Sequence, residues 1–228
     1  MIHQVMVNND YTVLGGFLLL FGLLLFIGGF YWFKRKRLME NIPTSKIRAL
    51  AMGLVEIYGD VVSAGTLLTS PLTKKSCVYY HYMVQKYKKP TKKQSGRWVT
   101  VQTEIKSIQF YLQDDTGKVL VDPTKASIEI SADNQKTDGD TRYVECLIEP
   151  NNQLYIMGTA GENPVKNIAS ADHMDNIMIQ QGTNEKFYYI SDKSEKQILK
   201  SLSLRPYGMW GFGIVLIVVG IILFFHLL

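Results

Sequence analysis

Thiols and imidazoles are scarce here: 228 residues hold two cysteines, Cys77 and Cys146, and four histidines. A Cys₄ or Cys₃His zinc site cannot be built from so few ligands. Both cysteines stand inside apolar or aromatic runs, so in a cytoplasmic domain they are expected as free, buried thiols. No Gly-x-x-x-x-Gly-Lys-Ser/Thr loop is present to cradle a phosphate, because Gly15-Gly16 and Gly28-Gly29 fall within an apolar run instead. His3 and His226 lie at the ends of such runs and His81 stands among tyrosines. His173, flanked by Asp172 and Asp175, has no nucleophile in its sequence context. No catalytic residue, metal ligand or cofactor is assigned on these grounds.

Acid is missing locally. From Val61 to Thr103 there is no Asp or Glu, but eight cations: Lys74, Lys75, Lys86, Lys88, Lys89, Lys92, Lys93 and Arg97. The interval from Glu104 to Pro206 reverses the balance, with sixteen acids against eleven cations. Such a basic stretch is read as a solvated hairpin tip, as a contact for anionic lipid headgroups, or as a nucleic-acid patch. Nucleic acid is the weakest of the three and is not assigned as a partner. The candidate membrane-surface contacts are Lys86, Lys88, Lys89, Lys92, Lys93 and Arg97.

Two long apolar runs organise the chain. Val13 to Phe33 has no charged side chain over twenty-one residues; at ~1.5 Å per residue a helix there is roughly 31 Å long, the thickness of a hydrocarbon core. Lys34, Arg35, Lys36 and Arg37 follow at once. Cations beside a span stay on the cytoplasmic side, so they set the topology with the N-terminus outside. A cleaved signal peptide would carry its charge before a shorter apolar core. Met209 to Leu228 is the second run, with Tyr207, Trp210 and Arg205 at its entry. Neither span offers an ionisable residue for transport except His226. The glycines in the spans allow close helix contacts, and with them a homo-oligomer built through the membrane.

The expected organisation is therefore span 13–33, a domain over 38–206, and span 209–228 in a cell membrane, with the domain cytoplasmic. Within the domain, Ile47, Leu50 and Ala51 fit a short helical turn, and Leu54 to Ile57 a strand ended by Gly59-Asp60. Cys77 to Tyr87 and Trp98 to Lys106 read as a hairpin with Lys88 to Gly96 as its basic loop. Further short strands are expected at 108–112, 118–121, 127–130, 143–148, 154–158, 177–179 and 187–190. Asp114-Asp115-Thr116-Gly117 is read as a tight turn, Asp133 to Asp140 as a polar loop and Asn163 to Asp175 is ambiguous. Ser191 or Asp192 is expected to cap an amphipathic helix to about Leu202. The fold class is α+β: a β-rich domain, with an OB-like small barrel as one form, between two transmembrane helices.

Several segments resemble the GIDE, or BAM ("beside a membrane"), domain family. They are Pro43-Thr44-Ser45-Lys46, Ala51 to Gly59, Ser70-Pro71-Leu72-Thr73, Cys77-Val78-Tyr79-Tyr80, Asp115-Thr116-Gly117, Val121-Asp122-Pro123, Leu154 to Gly158 and Phe187 to Ser191. The family includes a mitochondrial outer-membrane ubiquitin/SUMO ligase, in which the domain binds partner proteins and a separate RING recruits the charged enzyme. By that resemblance this sequence is a RING-less, prokaryotic-type member, and no family catalytic residue carries over. Gly53 and Gly59 would serve backbone geometry, Pro71 a turn and Cys77 packing. The expected function is protein binding or scaffolding at the cytoplasmic membrane face. The alternatives are a component related to RING-type ubiquitin transferases, and a regulator resembling the NfeD proteins that serve membrane proteases or stomatin-like scaffolds.

Overall fold

The computed structural model describes residues 2–92, 94–132, 134–164 and 176–225, and for 2–11 and 201–203 the backbone alone. Two compact units result. One holds the terminal segments up to Ile42 and from Glu195, and the other runs from Pro43 to Ser194.

The first unit pairs two helices, α1 (Ile2–Asn41) and α2 (Glu195–Phe225). Both are long and apolar enough to cross a membrane. Glycine decides how close they come. A Cβ on Gly22 would lie 2.9 Å from the Gly213 carbonyl oxygen, and one on Gly220 would lie 3.0 Å from the Gly15 carbonyl oxygen. Only residues without side chains allow backbones this near. These contacts run antiparallel, and the seven-residue spacing from Gly15 to Gly22 and from Gly213 to Gly220 keeps them on one face of each helix. At the other end of the seam the Trp210 indole donates to the Phe26 carbonyl at 3.2 Å. Arg35 and Arg205 lie over the Trp32 ring, 5.7 and 5.0 Å from its centroid. The residues expected as a separate amphipathic helix and a later span form one continuous helix, with Pro206 inside it. Ser191 does not cap it: that residue ends the last strand, and its hydroxyl donates to the Glu129 carbonyl.

The second unit is built on a closed five-stranded barrel. Its strands are β1 (Gly53–Ser63), β6 (Phe110–Gln113), β7 (Lys118–Val121), β12 (Ile177–Gln180) and β11 (Gln153–Glu162), neighbours in that order, with β11 returning to β1. The β7–β12 pair is parallel and the others antiparallel. This is an OB-like small barrel. Alternation along β1 points Val55, Ile57 and Val61 inward to meet Phe110, Leu112, Val119, Val121, Ile156 and Ile179, all buried. Each such side chain contributes about 1.5–3 kcal/mol by leaving water. β1 does not stop at Gly59-Asp60 as expected. It changes partner there, from β11 to β6. The bend brings the chain so near β6 that a Cβ on Gly59 would lie 2.4 Å from the Gln113 carbonyl oxygen. β13 (Tyr189–Ser191) extends the sheet from β11, and β8 (Ser127–Glu129) pairs with β13.

Two excursions from the barrel build a second sheet. Between β1 and β6 the chain forms the short pair β2 (Leu68–Thr69) and β3 (Ser76–Cys77), then β4 (Tyr79–Lys88) and β5 (Arg97–Ser107). Between β8 and β11 it forms β9 (Asn134–Asp138) and β10 (Thr141–Ile148). Their order is β5-β4-β10-β9. β9 corrects the expected polar loop. Asn-Gln-Lys-Thr-Asp has no strand pattern of its own and is extended through its pairing with β10.

Candidate interaction surface

The insert sheet carries the candidate surface cations singled out from the sequence. β4 and β5 pair from Tyr79–Ser107 to Lys88–Arg97, with a register shift between Val84 and Gln85 that leaves Val101 as the extra residue on β5. Such a bulge locally twists the edge and breaks its ladder. Among the described residues β5 bonds only to β4, and no other described strand pairs with its outer edge along its eleven residues. Val101 and Ile105 are 56% and 58% exposed, unusual for β-branched side chains on a strand.

The hairpin tip is a built structure. Thr91 and Gln94 close it with two backbone hydrogen bonds of 2.8 and 3.2 Å. The Arg142 guanidinium from β10 lies 4.6 Å from the centre of the Trp98 ring, while its Nε donates to Gln85 Oε1 at 2.8 Å. Tyr87 packs on Trp98 with ring centres 5.2 Å apart. Around this core Lys86, Lys88, Lys89, Lys92 and Arg97 are exposed; Lys93 lies outside the described residues. The expected eight-cation stretch divides. Lys74 and Lys75 belong to a different turn, where Lys75 pairs with Glu149 at 2.8 Å.

The inner face of the insert is tied down by an acid that sequence reasoning missed. Glu145, fully buried on β10, accepts from the Leu72 and Thr73 amides (2.8 and 3.3 Å) and the Thr73 hydroxyl (2.6 Å). It fixes the Pro71 turn over Cys77, Tyr80 and Leu147. The signal was an acid in the middle of an otherwise apolar strand, Val144-Glu145-Cys146-Leu147. Burial, with Glu145 and Glu149 nearby, pushes the Cys77 thiol up to about 11. Both cysteines are free and buried. Glu56 is a second buried acid, accepting from Thr44 Oγ1 at 2.6 Å and the Tyr155 hydroxyl at 2.7 Å.

Among the described residues the remaining polar groups do not converge on a reaction centre. His81 Nε2 meets Thr103 Oγ1 at 2.9 Å within the sheet, and burial pushes its pKa down. An open cleft of about 430 Å³ is lined by Lys46, Asp60, Gln113, Asp114 and Asp115. Burial pushes Asp114 up, but hydrogen bonds from Thr116, Ile47 and Gly117 outweigh it and hold the carboxyl below its usual value. Asp115 pairs with Lys46. Among the described residues no group of three or more His, Cys, Asp and Glu is placed to hold a metal ion. His173 lies outside them.

The GIDE family model, described as an E3 ubiquitin ligase, matches residues 79–224, more than half of the chain. The chain belongs to the GIDE family. Its matched region begins at the first residue of β4 and ends within α2, so it takes in the whole β4–β5 hairpin and Arg142. The first barrel strand, β1, precedes the matched region. No curated protein and no solved structure matches the chain.

Proposed function

We propose that this GIDE chain is a membrane-anchored module that holds a partner protein by adding an extended segment of the partner to β5. The bare β5 edge with exposed Val101 and Ile105 carries this reading. Backbone groups on a free edge supply affinity and alternate side chains supply selectivity. The opposite edge, β9, is only five residues long and polar. Proteins blunt unused edges in that way. The family description ties the domain to ubiquitin transfer, and a subunit that presents partners to a ligase fits it without catalytic residues of its own. The two apolar helices act as anchors, and Lys34 to Arg37 hold the domain on the cytoplasmic side of a cell membrane. The OB-like barrel between two apolar helices also fits a regulator resembling the NfeD proteins.

The test places a photo-crosslinking residue at Ile105 or at Lys125 of the full chain in native membranes. A single adduct is expected from position 105 alone, lost when Val101→Lys is added. The crosslinked segment, made as a peptide, is then expected to slow exchange of β5 amides in the purified chain. Equal adducts from both positions, or an adduct indifferent to Val101→Lys, would exclude β5 as the docking edge. Topology is read separately, by impermeant thiol labelling of intact cells: Asn9→Cys is expected to react and Lys92→Cys to be protected.

A further inference from the structure

We infer that the β4–β5 tip is a contact for the anionic headgroups of the bilayer that anchors the chain. Four cations elsewhere in the domain are paired: Lys46 with Asp115, Lys75 with Glu149, Lys106 with Glu104 and Lys193 with Glu129. The exposed cations without such a pair, among them Lys74, Lys125 and Lys186, are spread over separate elements rather than gathered at one tip. At the tip Lys86, Lys88, Lys89, Lys92 and Arg97 are exposed, and none forms an ion pair with a described residue. The register goes further and sets Lys88 directly opposite Arg97. Like charges facing across a ladder are destabilising unless an anion sits between them. Asp138 and Asp140, on the turn beside Lys86, are the nearest acids by register, and the turn touches the tip through a backbone bond from Tyr87 N to Asp140 O.

The tip is also preorganised. The Thr91–Gln94 closure and the Arg142–Trp98–Tyr87 stack hold the cations before any ligand arrives. That same stack argues against single-stranded nucleic acid, because Arg142 covers one face of Trp98 and Tyr87 packs against the same ring, leaving less aromatic surface for a base to stack on. An anionic bilayer is favoured over a soluble partner by connectivity. Both ends of the domain continue directly into the apolar helices, so the chain is tethered to a bilayer rather than having to encounter one. Each cation close to an anionic surface changes the contact equilibrium about fivefold.

The proposal rests on the membrane-anchored reading above, but not on the partner at β5. The full chain carrying Thr91→Cys, labelled with a polarity-sensitive dye, is placed in nanodiscs of phosphatidylcholine with or without phosphatidylglycerol. The native thiols are buried and stay unlabelled. A blue shift is expected in the anionic discs only. It should fall several-fold in about 0.5 M salt, where the Debye length shrinks to about 4 Å. It should vanish in Lys88→Gln, Lys89→Gln, Lys92→Gln and persist when the same charge is removed at Lys74, Lys125 and Lys186. An equal shift in neutral discs, survival in the tip variant, or loss in the matched control overturns the proposal. So does a shift produced only by adding an acidic peptide or RNA. Incorporation is scored independently by co-elution: a chain that fails to enter discs overturns anchoring as well, whereas an incorporated chain without a lipid-dependent shift overturns the tip alone.

Discussion

Every strand of the barrel has hydrogen-bonded neighbours on both sides, whereas the insert sheet ends in two edges, β5 and β9, that no other described strand pairs. Closure leaves the five barrel strands without a long free edge, the sheet continuing only through the three-residue strands β13 and β8, and concentrates the buried aliphatic residues in one core. The insert sheet is held to that core at one end, through Val78, Tyr79 and Ile148, and by the Glu145 pin. Toward the tip it becomes polar, exposed and cationic. Stability is thus concentrated in the barrel, whereas the partner and headgroup contacts proposed above lie on the insert, and substitutions should separate the two.

The sharpest contrast is between Phe110 and Ile105. Phe110→Ala empties a fully buried site in the barrel and is expected to cost about 3–5 kcal/mol. Ile105→Ala, on an exposed edge, should stay within about 0.5 kcal/mol. Chemical denaturation of the full chain in detergent measures both, and comparable losses would break the comparison. Next in size is Glu145→Ala, which leaves the Leu72 and Thr73 amides without their carboxylate and is expected to cost about 2 kcal/mol. Faster exchange of those two amides should accompany it. Glu145→Gln, which retains one acceptor, should lose less.

Acid stability sharpens the contrast by locating one pH-sensitive tie on the barrel. The folded-state pKa of Asp114 lies below its ordinary value of 3.8, so its contribution is complete above that pH and is lost as pH falls through the folded-state value. Asp114→Asn is expected to flatten this part of the acid limb in a stability-against-pH series. An unchanged limb would show that the turn tying Ile47 to β7 does not depend on the carboxylate. Cys77, raised to about 11 by burial, should resist alkylation at pH 8 in the native chain and react in denaturant. Rapid native labelling would mean that the β2–β3 pair does not cover its face of the insert. The smallest change is expected from neutralising Lys88, Lys89 and Lys92, whose effect on stability should lie within about 0.5 kcal/mol.

Much of this division was legible in the sequence. Apolar length marked α1 and α2, and alternation around a lysine- and proline-rich loop marked the β4–β5 hairpin with its tip. Barrel closure was not, because it depends on pairing Gly53–Asp60 with residues 153–160, contacts far apart in sequence that no local pattern encodes. For the same reason β1 was expected to stop at Gly59, where it turns a corner, and β9 was read as loop. The helix expected to about Leu202 and the span expected from Met209 are one continuous helix with Pro206 inside it, a continuity that the local pattern does not encode. Arg142 gave no local sign of its role, since its partner Trp98 belongs to a strand two positions away in the sheet. Buried acids are the least visible class: the strand around Glu56 or Glu145 can show an acid among apolar residues, but their donors Thr44, Tyr155, Leu72 and Thr73 come from distant segments.

Amide hydrogen exchange on the purified full chain in nanodiscs, resolved by strand, tests the division between closed barrel and open insert most directly. The account expects slow exchange throughout β1, β6, β7, β11 and β12, and an alternating pattern on β5, where amides bonded to β4 are protected and those on the outer edge exchange rapidly. Uniform protection along β5 in the free chain, equal to that of β11, would mean the edge is already covered and would contradict its assignment as the surface that receives a partner.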